Sequence, residues 1–337
     1  MKFLLFVLSL IYSKIQLLDK IFTRSKKLTK PVISVGNITW GGTGKTPIVI
    51  EIAKFFVSQG KKPVILTRGY GRKFKKPVLL KNGGQNIAVF QSGDEAMLIA
   101  KSVPQADVIV GAKRYKNALF FEKETTPDVY ILDDGFQHWK IKRNVDIVCI
   151  NGANPFGNDM LLPAGILREY PKKALKRAST IVITNSDFAK DLPLLESKIL
   201  AYSGVFPTSV YYGNYKFKTL NLKDDFDIKK FKNTKVYSLC AIGFSQGFKN
   251  SLKKTGVKTQ KSFNLKDHKS YTKKDIEKIF NEIGDGSFLV ITAKDAVKID
   301  VIIDDQLKSQ IAVLTLSPIF KDNFLESNLS LDILQNT

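Results

Sequence analysis

The sequence predicts an α/β protein: a P-loop-containing, mainly parallel sheet covered by helices, with a second, smaller α/β domain and an amphipathic N-terminal helix. Three observations carry this prediction. Short apolar runs alternate with helix-length segments through the first two thirds of the chain, a glycine-rich turn joins the first run to the helix after it, and residues 3–22 repeat apolar side chains at helical spacing. The expected division is 1–28 for the N-terminal helix, 29–209 for the P-loop core, 210–220 for a two-stranded linker and 221–337 for the smaller domain.

At the amino terminus, Leu4, Leu8, Ile11, Ile15, Leu18 and Phe22 follow steps of four and three residues, which lines them along one helical face. Ser9, Ser13, Gln16 and Lys20 fall off that stripe. The longest uncharged run, Phe3 to Ser13, is about half of the roughly 20 residues a membrane span needs, so no transmembrane helix is expected. Arg24, Lys26, Lys27 and Lys30 follow directly, and an apolar stripe closed by basic residues suits a helix lying on an anionic leaflet. Two other readings share the pattern. A helix packed on the core would show the same stripe, and a signal peptide would also open with Lys2, although no small-residue cleavage site follows.

Pro31 to Val35 reads as a short buried strand, and the loop Gly36-Asn37-Ile38-Thr39-Trp40-Gly41-Gly42-Thr43-Gly44-Lys45-Thr46-Pro47 follows it, opening a helix that runs to Gln59 and stops at Gly60. Strand, glycine loop and helix are the setting a phosphate loop requires. Gly41, Gly42, Thr43 and Gly44 would let backbone amides wrap phosphates, Lys45 would reach the β/γ-phosphates of ATP, and Thr46 could ligate Mg2+. Thr39 breaks the strict pattern at its first glycine, and the Gly41-Gly42 pair resembles loops of the ParA and MinD class, although Trp40 stands where those carry a lysine.

Further strands are expected at Val64–Thr67, Val108–Val110, Val129–Leu132, Asp146–Ile150 and Thr180–Thr184. The third ends in Asp133 and Asp134, placed to serve a nucleotide-bound magnesium as a Walker B carboxylate does. Two adjacent carboxylates there would ionise together only with a cation nearby. Beyond Val210–Leu220, which alternates like an exposed ribbon, strands at Val236–Ile242, Phe288–Thr292 and Ala312–Leu316 and a helix at Lys273–Ile283 make the smaller domain.

Composition sets outer bounds. With 44% hydrophobic and 25% charged residues the chain is neither disordered nor a polytopic membrane protein, and Cys149 and Cys240, both inside apolar runs, offer neither a disulfide framework nor metal spacing. The net charge of +22 would attract any polyanion, so it does not choose a partner. Lysine outnumbers arginine more than six to one, which makes the seven arginines informative, since a guanidinium fork is suited to phosphate.

Several blocks together resemble the tetraacyldisaccharide 4'-kinase family of lipid A synthesis: the loop at 36–47, Leu66-Thr67-Arg68-Gly69-Tyr70-Gly71-Arg72, Gly93-Asp94-Glu95, Val110-Gly111-Ala112-Lys113-Arg114, Asp133-Asp134-Gly135-Phe136-Gln137-His138 and Leu162-Pro163-Ala164-Gly165-Ile166-Leu167-Arg168-Glu169. Asp267-His268 with Tyr271-Thr272, and Thr292 to Lys298, are similar to two later motifs of that family. Lys269 stands where the family usually has a second histidine, Ala293 where it has glutamate, and the stretch 243–248 matches only loosely.

The resemblance implies transfer of the ATP γ-phosphate to the 4'-hydroxyl of an acylated glucosamine disaccharide 1-phosphate, with Mg2+, giving lipid IV-A. It also implies a peripheral enzyme on the cytoplasmic face of the inner membrane, with neither a nucleic acid nor an obligate protein partner. Its catalytic dyad maps onto Asp94 and His268; Lys45, Arg114 and Arg168 would act on the transferring phosphoryl group, and Glu169 joins Thr46, Asp133 and Asp134 as a magnesium candidate. Asp94 could equally cap the helix expected at Glu95–Lys101, and His138 is the only other histidine. A ParA-like ATPase dimerising on membrane or DNA, and a lipid-binding protein with a decayed nucleotide site, are the rival readings. Trp40 opposes the first, and intact Lys45, Thr46 and Asp134 oppose the second.

Overall fold

The computed structural model describes residues 2–267, 269–321 and 323–330. Twelve strands form one sheet: β1 (Val32–Asn37), β2 (Pro63–Thr67), β3 (Val78–Leu80), β4 (Asp107–Val110), β5 (Val129–Asp133), β6 (Val145–Asn151), β7 (Thr180–Thr184), β8 (Thr208–Lys218), β9 (Val236–Cys240), β10 (Ser262–Asn264), β11 (Phe288–Thr292) and β12 (Ile311–Phe320), in the spatial order 10-9-11-12-8-7-6-1-5-2-4-3. Among the described residues, only β3 with β4 and β8 with β12 pair antiparallel. The sheet is thus mostly parallel. Its central strands are buried on both faces, which is why β2, β5 and β7 read as short, mainly apolar runs rather than alternating ones.

The strands expected elsewhere all form, with boundaries moved by a residue or a few, whereas the segment 210–220 expected as a two-stranded linker is a single strand, β8, built into the sheet between β7 and β12. The glycine-loop helix spans Lys45–Ser58, and Gly60 follows it with φ +69°, the left-handed turn a helix end favours. Its Ile48, Ile52 and Phe56 pack with Ile33, Val35, Ile65 and Ile131, each fully buried aliphatic side chain contributing about 1.5–3 kcal/mol. On the other face Val148, Ile150, Ile181 and Ile183 pack against Leu195 and Ile199 of the helix Leu192–Ser203.

The remaining strands, β9 to β12, form a second lobe with its own core, in which Ile276, Phe280 and Ile283 of the helix Lys273–Ile283 cover Leu239, Leu289 and Ile291. A capping box of Thr272 and Asp275 fixes where that helix begins. β8 joins the lobes: its first residues pair with β7, and most of its length pairs with β12. Ion pairs tie the lobes elsewhere: Lys101 to Asp300 at 2.9 Å and Lys294 to Glu95 at 3.2 Å, both between helix Asp94–Ser102 and helix Ala293–Ile299 or its end, and Lys254 to Asp187 at 2.8 Å.

The N-terminal helix spans Lys2–Phe22 and inverts the usual arrangement. Leu4, Leu8, Ile11, Ile15, Leu18 and Phe22 are all exposed, whereas Ser9 is buried. The hydroxyl of Ser9 donates to the Leu161 carbonyl at 2.9 Å and accepts from the Ala164 amide at 3.2 Å. The helix therefore docks through its polar side, and the core-helix reading of the stripe does not hold. No described helix is long and apolar enough to cross a membrane. Cys149 and Cys240 are buried and free.

Candidate active site

Between the lobes lies a cleft of about 1250 Å³. A drug-sized ligand site occupies roughly 300–1,000 Å³, so this one has room for more than one small substrate. It opens outside the carboxyl ends of β1, β5 and β7, where an open parallel sheet leaves its loops free to meet a ligand.

The loop after β1 is pinned from inside. The buried Asn37 amide donates to the Thr39 carbonyl and to the Thr43 hydroxyl, both at 2.9 Å, and the Thr184 hydroxyl donates to the Thr43 carbonyl at 2.8 Å. Gly44 precedes the helix with φ +72°, and a Cβ there would run into the Tyr212 hydroxyl. No side chain caps the helix that begins at Lys45, so its first-turn amides and the positive end of its dipole are left for a ligand in the cleft.

Opposite the loop stand Asp133 and Asp134. Asp133 ends β5 and is buried, with the Thr67 hydroxyl donating to it at 2.8 Å. Asp134 adopts φ +49°, a left-handed conformation costly for a non-glycine residue and characteristic of functional sites. Its carboxylate lies 3.5 Å from Lys45 Nζ and 3.1 Å from Arg168 Nη1, and buried Arg114 donates to its backbone carbonyl at 3.1 Å.

The family comparisons agree with one another. Residues 1–333 match the family model described as tetraacyldisaccharide-1-P 4'-kinase. The tetraacyldisaccharide 4'-kinase of Halothermothrix orenii is 35% identical over 324 residues, covering 88% of this chain and 83% of the relative. That of Geobacter metallireducens is 33% identical, covering 87% and 86%. The crystal structure of LpxK from Aquifex aeolicus in complex with ATP superposes with a TM-score of 0.75 at 28% identity, covering 98% of this chain and 96% of that one. The chain belongs to the tetraacyldisaccharide 4'-kinase family.

In this kinase the neighbouring carboxylates differ sharply. Burial, with the charges of Glu95 and Asp134 beside it, pushes Asp133 up to about 6. Burial also opposes ionisation of Asp134, but Lys45, Arg168 and Arg114 outweigh it and hold that carboxyl below its ordinary range. Lys294 is largely buried, which by itself would favour its neutral form. The surrounding Glu95, Asp94 and Asp267 reverse this and keep it charged.

Of the residues singled out from sequence, Gly41, Gly42, Thr43, Gly44, Lys45, Thr46, Arg114, Asp133, Asp134 and Arg168 all line the cleft. Asp94 opens its helix beside Glu95, with Gly93 rather than Asp94 in the capping position, and its Oδ1 accepts from the Glu95 amide at 3.0 Å. His268 lies outside the described residues; its neighbour Asp267 is on the cleft wall, 3.6 Å from Lys294. Glu169 is not on that wall. Its carboxylate accepts from Arg177 at 2.7 Å and Gln137 at 2.8 Å, so it is spent on holding Arg177 and the Gln137 side chain in place.

Sequence reasoning passed over Glu95, which lines the cleft, acts on Asp133 and bridges to Lys294. Its sequence signal was its place beside Asp94 in the block Gly93-Asp94-Glu95, which gave it no role. Tyr12 and Gln16, from the N-terminal helix, also reach the cleft, and nothing in their spacing announced it.

Proposed function

We infer that this chain transfers the γ-phosphate of ATP to the 4'-hydroxyl of tetraacyldisaccharide 1-phosphate at the surface of a membrane. The observation that carries the reading is the convergence of an uncapped glycine-loop helix, a carboxylate pair and two arginines on one interlobe cleft. The Aquifex aeolicus relative, matched over nearly the whole chain, was crystallised with ATP.

The amides of Gly41–Thr46 and the Lys45 ammonium would hold the phosphates, with Arg114 and Arg168 facing the charge that builds on the transferring group. Asp94 would take the proton of the sugar hydroxyl, with His268 as the partner that orients it. Lys294 reaches this corner from the second lobe, and closure of the lobes would bring the acceptor's end of the cleft together while expelling water.

The donors fit Mg2+. A carboxylate pushed up to about 6 by burial, with the charges of Glu95 and Asp134 adding to it, is one whose ionisation a cation would favour. Among the described residues no group of three or more acidic, histidine or cysteine side chains forms a cage. That suits a small ion that binds one or two carboxylates and completes its shell with phosphate and water. Thr46, Asp133 and Asp134 are the ligands proposed here, and Glu95, rather than Glu169, adds the further negative charge beside Asp133. Bound there, Mg2+ would neutralise phosphate charge and align the β- and γ-phosphates.

The outward apolar face of the N-terminal helix supports peripheral attachment. Ile15 is 60% exposed and Phe22 81%, while Lys14 and Lys20 lie on the same helix and Arg24, Lys26 and Lys27 follow. A helix of this kind binds an anionic leaflet. Its polar side reaches the cleft, so the leaflet would lie beside the mouth through which an acylated sugar enters. Dependence on ATP favours the cytoplasmic face for that leaflet, and the inner membrane is the one the family resemblance implies.

The test is incubation with magnesium-ATP and the acylated disaccharide 1-phosphate in detergent micelles, with mass spectrometry of the lipid and an Asp94→Ala variant alongside. A bisphosphorylated lipid that depends on Asp94 is expected. ATP hydrolysis without lipid phosphorylation would instead favour a membrane-bound ATPase.

A further inference from the structure

Behind the cleft wall, the second lobe buries an acidic side chain completely: Asp295, in the first turn of helix Ala293–Ile299. Among the described residues four donors meet its carboxylate. The Thr292 hydroxyl at 2.7 Å and the Ala241 amide at 3.1 Å share Oδ2, while the Tyr271 hydroxyl and the Lys298 ammonium, both at 2.9 Å, share Oδ1. Starting the helix needs only Thr292, whose hydroxyl accepts from the Asp295 amide at 3.2 Å. Oδ1 is turned to a different part of the chain.

What Oδ1 holds is the segment 267–271. Tyr271 is 8% exposed, and burial, then the charge of Asp295, push its phenol well up, so its hydroxyl remains a donor. Lys298 Nζ lies 4.9 Å from the centroid of the Tyr271 ring and donates to the Lys269 carbonyl at 3.1 Å. Asp267 and Lys269 flank His268 in the chain, and Asp267 is on the cleft wall. The other oxygen is referenced to the cleft as well. Two residues beyond Ala241 stands Gly243, packed so closely that a Cβ on it would come within 3.2 Å of the Gly42 amide nitrogen and 3.1 Å of the Asp267 carboxylate.

The helix that carries Asp295 is itself fixed to the first lobe. Lys294 bridges to Glu95, and Asp300, just past the helix end, pairs with Lys101. Both partners lie on helix Asp94–Ser102, so the helix docked beside Asp94 is also the one that holds the chain next to His268. Hydrogen bonds to a buried carboxylate fix direction as well as distance, which apolar packing does not.

We propose that Asp295, through Tyr271 and Lys298, is a positioning residue for phosphoryl transfer, setting the segment 267–271 against Asp94. The proposal rests on the reading of Asp94 and His268 as the acid–base pair. A displacement of about 1 Å at a reacting group can cost about a hundredfold in rate, so a slackened segment lowers kcat while the phosphate loop keeps its hold on the nucleotide.

The test is a double-mutant cycle on phosphorylation of the acylated disaccharide 1-phosphate by magnesium-ATP. Asp295→Ala strips buried Lys298 of its carboxylate and endangers the fold, so the variants are Asp295→Asn, which keeps the shape, and Tyr271→Phe, which removes a single oxygen. Each should lower kcat roughly tenfold or more and leave KM for ATP within about twofold of wild type. Placed in His268→Ala, neither should cost anything further, because a residue that acts through His268 has no effect once His268 is gone. A loss that multiplies in full in the His268→Ala background overturns the proposal, since a smaller folded fraction would do the same in either background. So does wild-type kcat in Tyr271→Phe. His268→Ala with unaltered kcat would instead refute the acid–base reading, and the positioning role would fall with it.

Discussion

His138 should make this protein acid-labile in a way a single substitution removes. Its Nε2 is buried and finds no hydrogen-bond partner among the described residues, and its backbone carbonyl accepts from Arg143 at 3.0 Å. Burial, then the charges of Arg114 and Arg143, lower the imidazole from 6.5 to about 3. A folded value depressed below the unfolded one gives a contribution that is fully present above pH 6.5 and lost as pH falls towards 3. At pH 5 the unfolded chain is one and a half units below the ordinary histidine value while the folded imidazole is still neutral. Each such unit is worth about 1.4 kcal/mol, so the loss between pH 8 and pH 5 is about 2 kcal/mol. The ring is partly exposed, and solvent screening reduces this to about 1–2 kcal/mol. His138→Gln stays neutral throughout. Thermal unfolding at both pH values, without nucleotide, should show wild type losing more of its Tm than the variant by a few degrees. Equal losses in the two proteins, or a His138 imidazole found by NMR to titrate near 6.5, would refute the reasoning.

Three further outcomes follow from the geometry. Glu95→Gln should raise the Mg2+ concentration needed for half-maximal activity several-fold, whereas Glu169→Gln should leave it unchanged and lower the Tm, because Glu169 holds Arg177. Titration of activity against Mg2+ distinguishes them, and the reverse pattern would restore Glu169 as a ligand. Gly44→Ala places a Cβ against Tyr212 at φ +72°, a strain of at least about 1–2 kcal/mol, and steady-state kinetics should show KM for ATP rising roughly tenfold or more with the fold retained by circular dichroism. Ile11→Asp with Ile15→Asp replaces two exposed side chains, so Tm should not fall, but co-sedimentation with vesicles containing anionic lipid should drop at least tenfold. Unchanged sedimentation would remove the helix from the membrane contact.

The local elements were written in the sequence because each depends on neighbours in the chain. Apolar runs such as Val129–Leu132 bury both faces of a parallel strand, Gly60 takes the left-handed turn just past a helix end, and Thr272 with Asp275 begins a helix. The glycine loop was legible for the same reason: its geometry is a property of consecutive residues. The N-terminal stripe was legible as a pattern but not in direction, since only the bonds of Ser9 to residues 161 and 164 turn the apolar face outward.

Tertiary structure decided what depends on distance through space. Glu169 follows Arg168 in sequence, yet Arg177 and Gln137 claim its carboxylate, while the charge of Glu95 acts on Asp133 from the first turn of helix Asp94–Ser102. Lys294 and Asp267 enter the cleft only because β8 and β12 carry a second lobe back over the first. Spacing along the chain determined which residues could form a phosphate loop and where strands deliver carboxylates. Which charges meet there, and therefore which carboxyl is pushed up and which is held down, was settled by long-range packing, because electrostatic coupling follows separation in space and burial, not order in the chain.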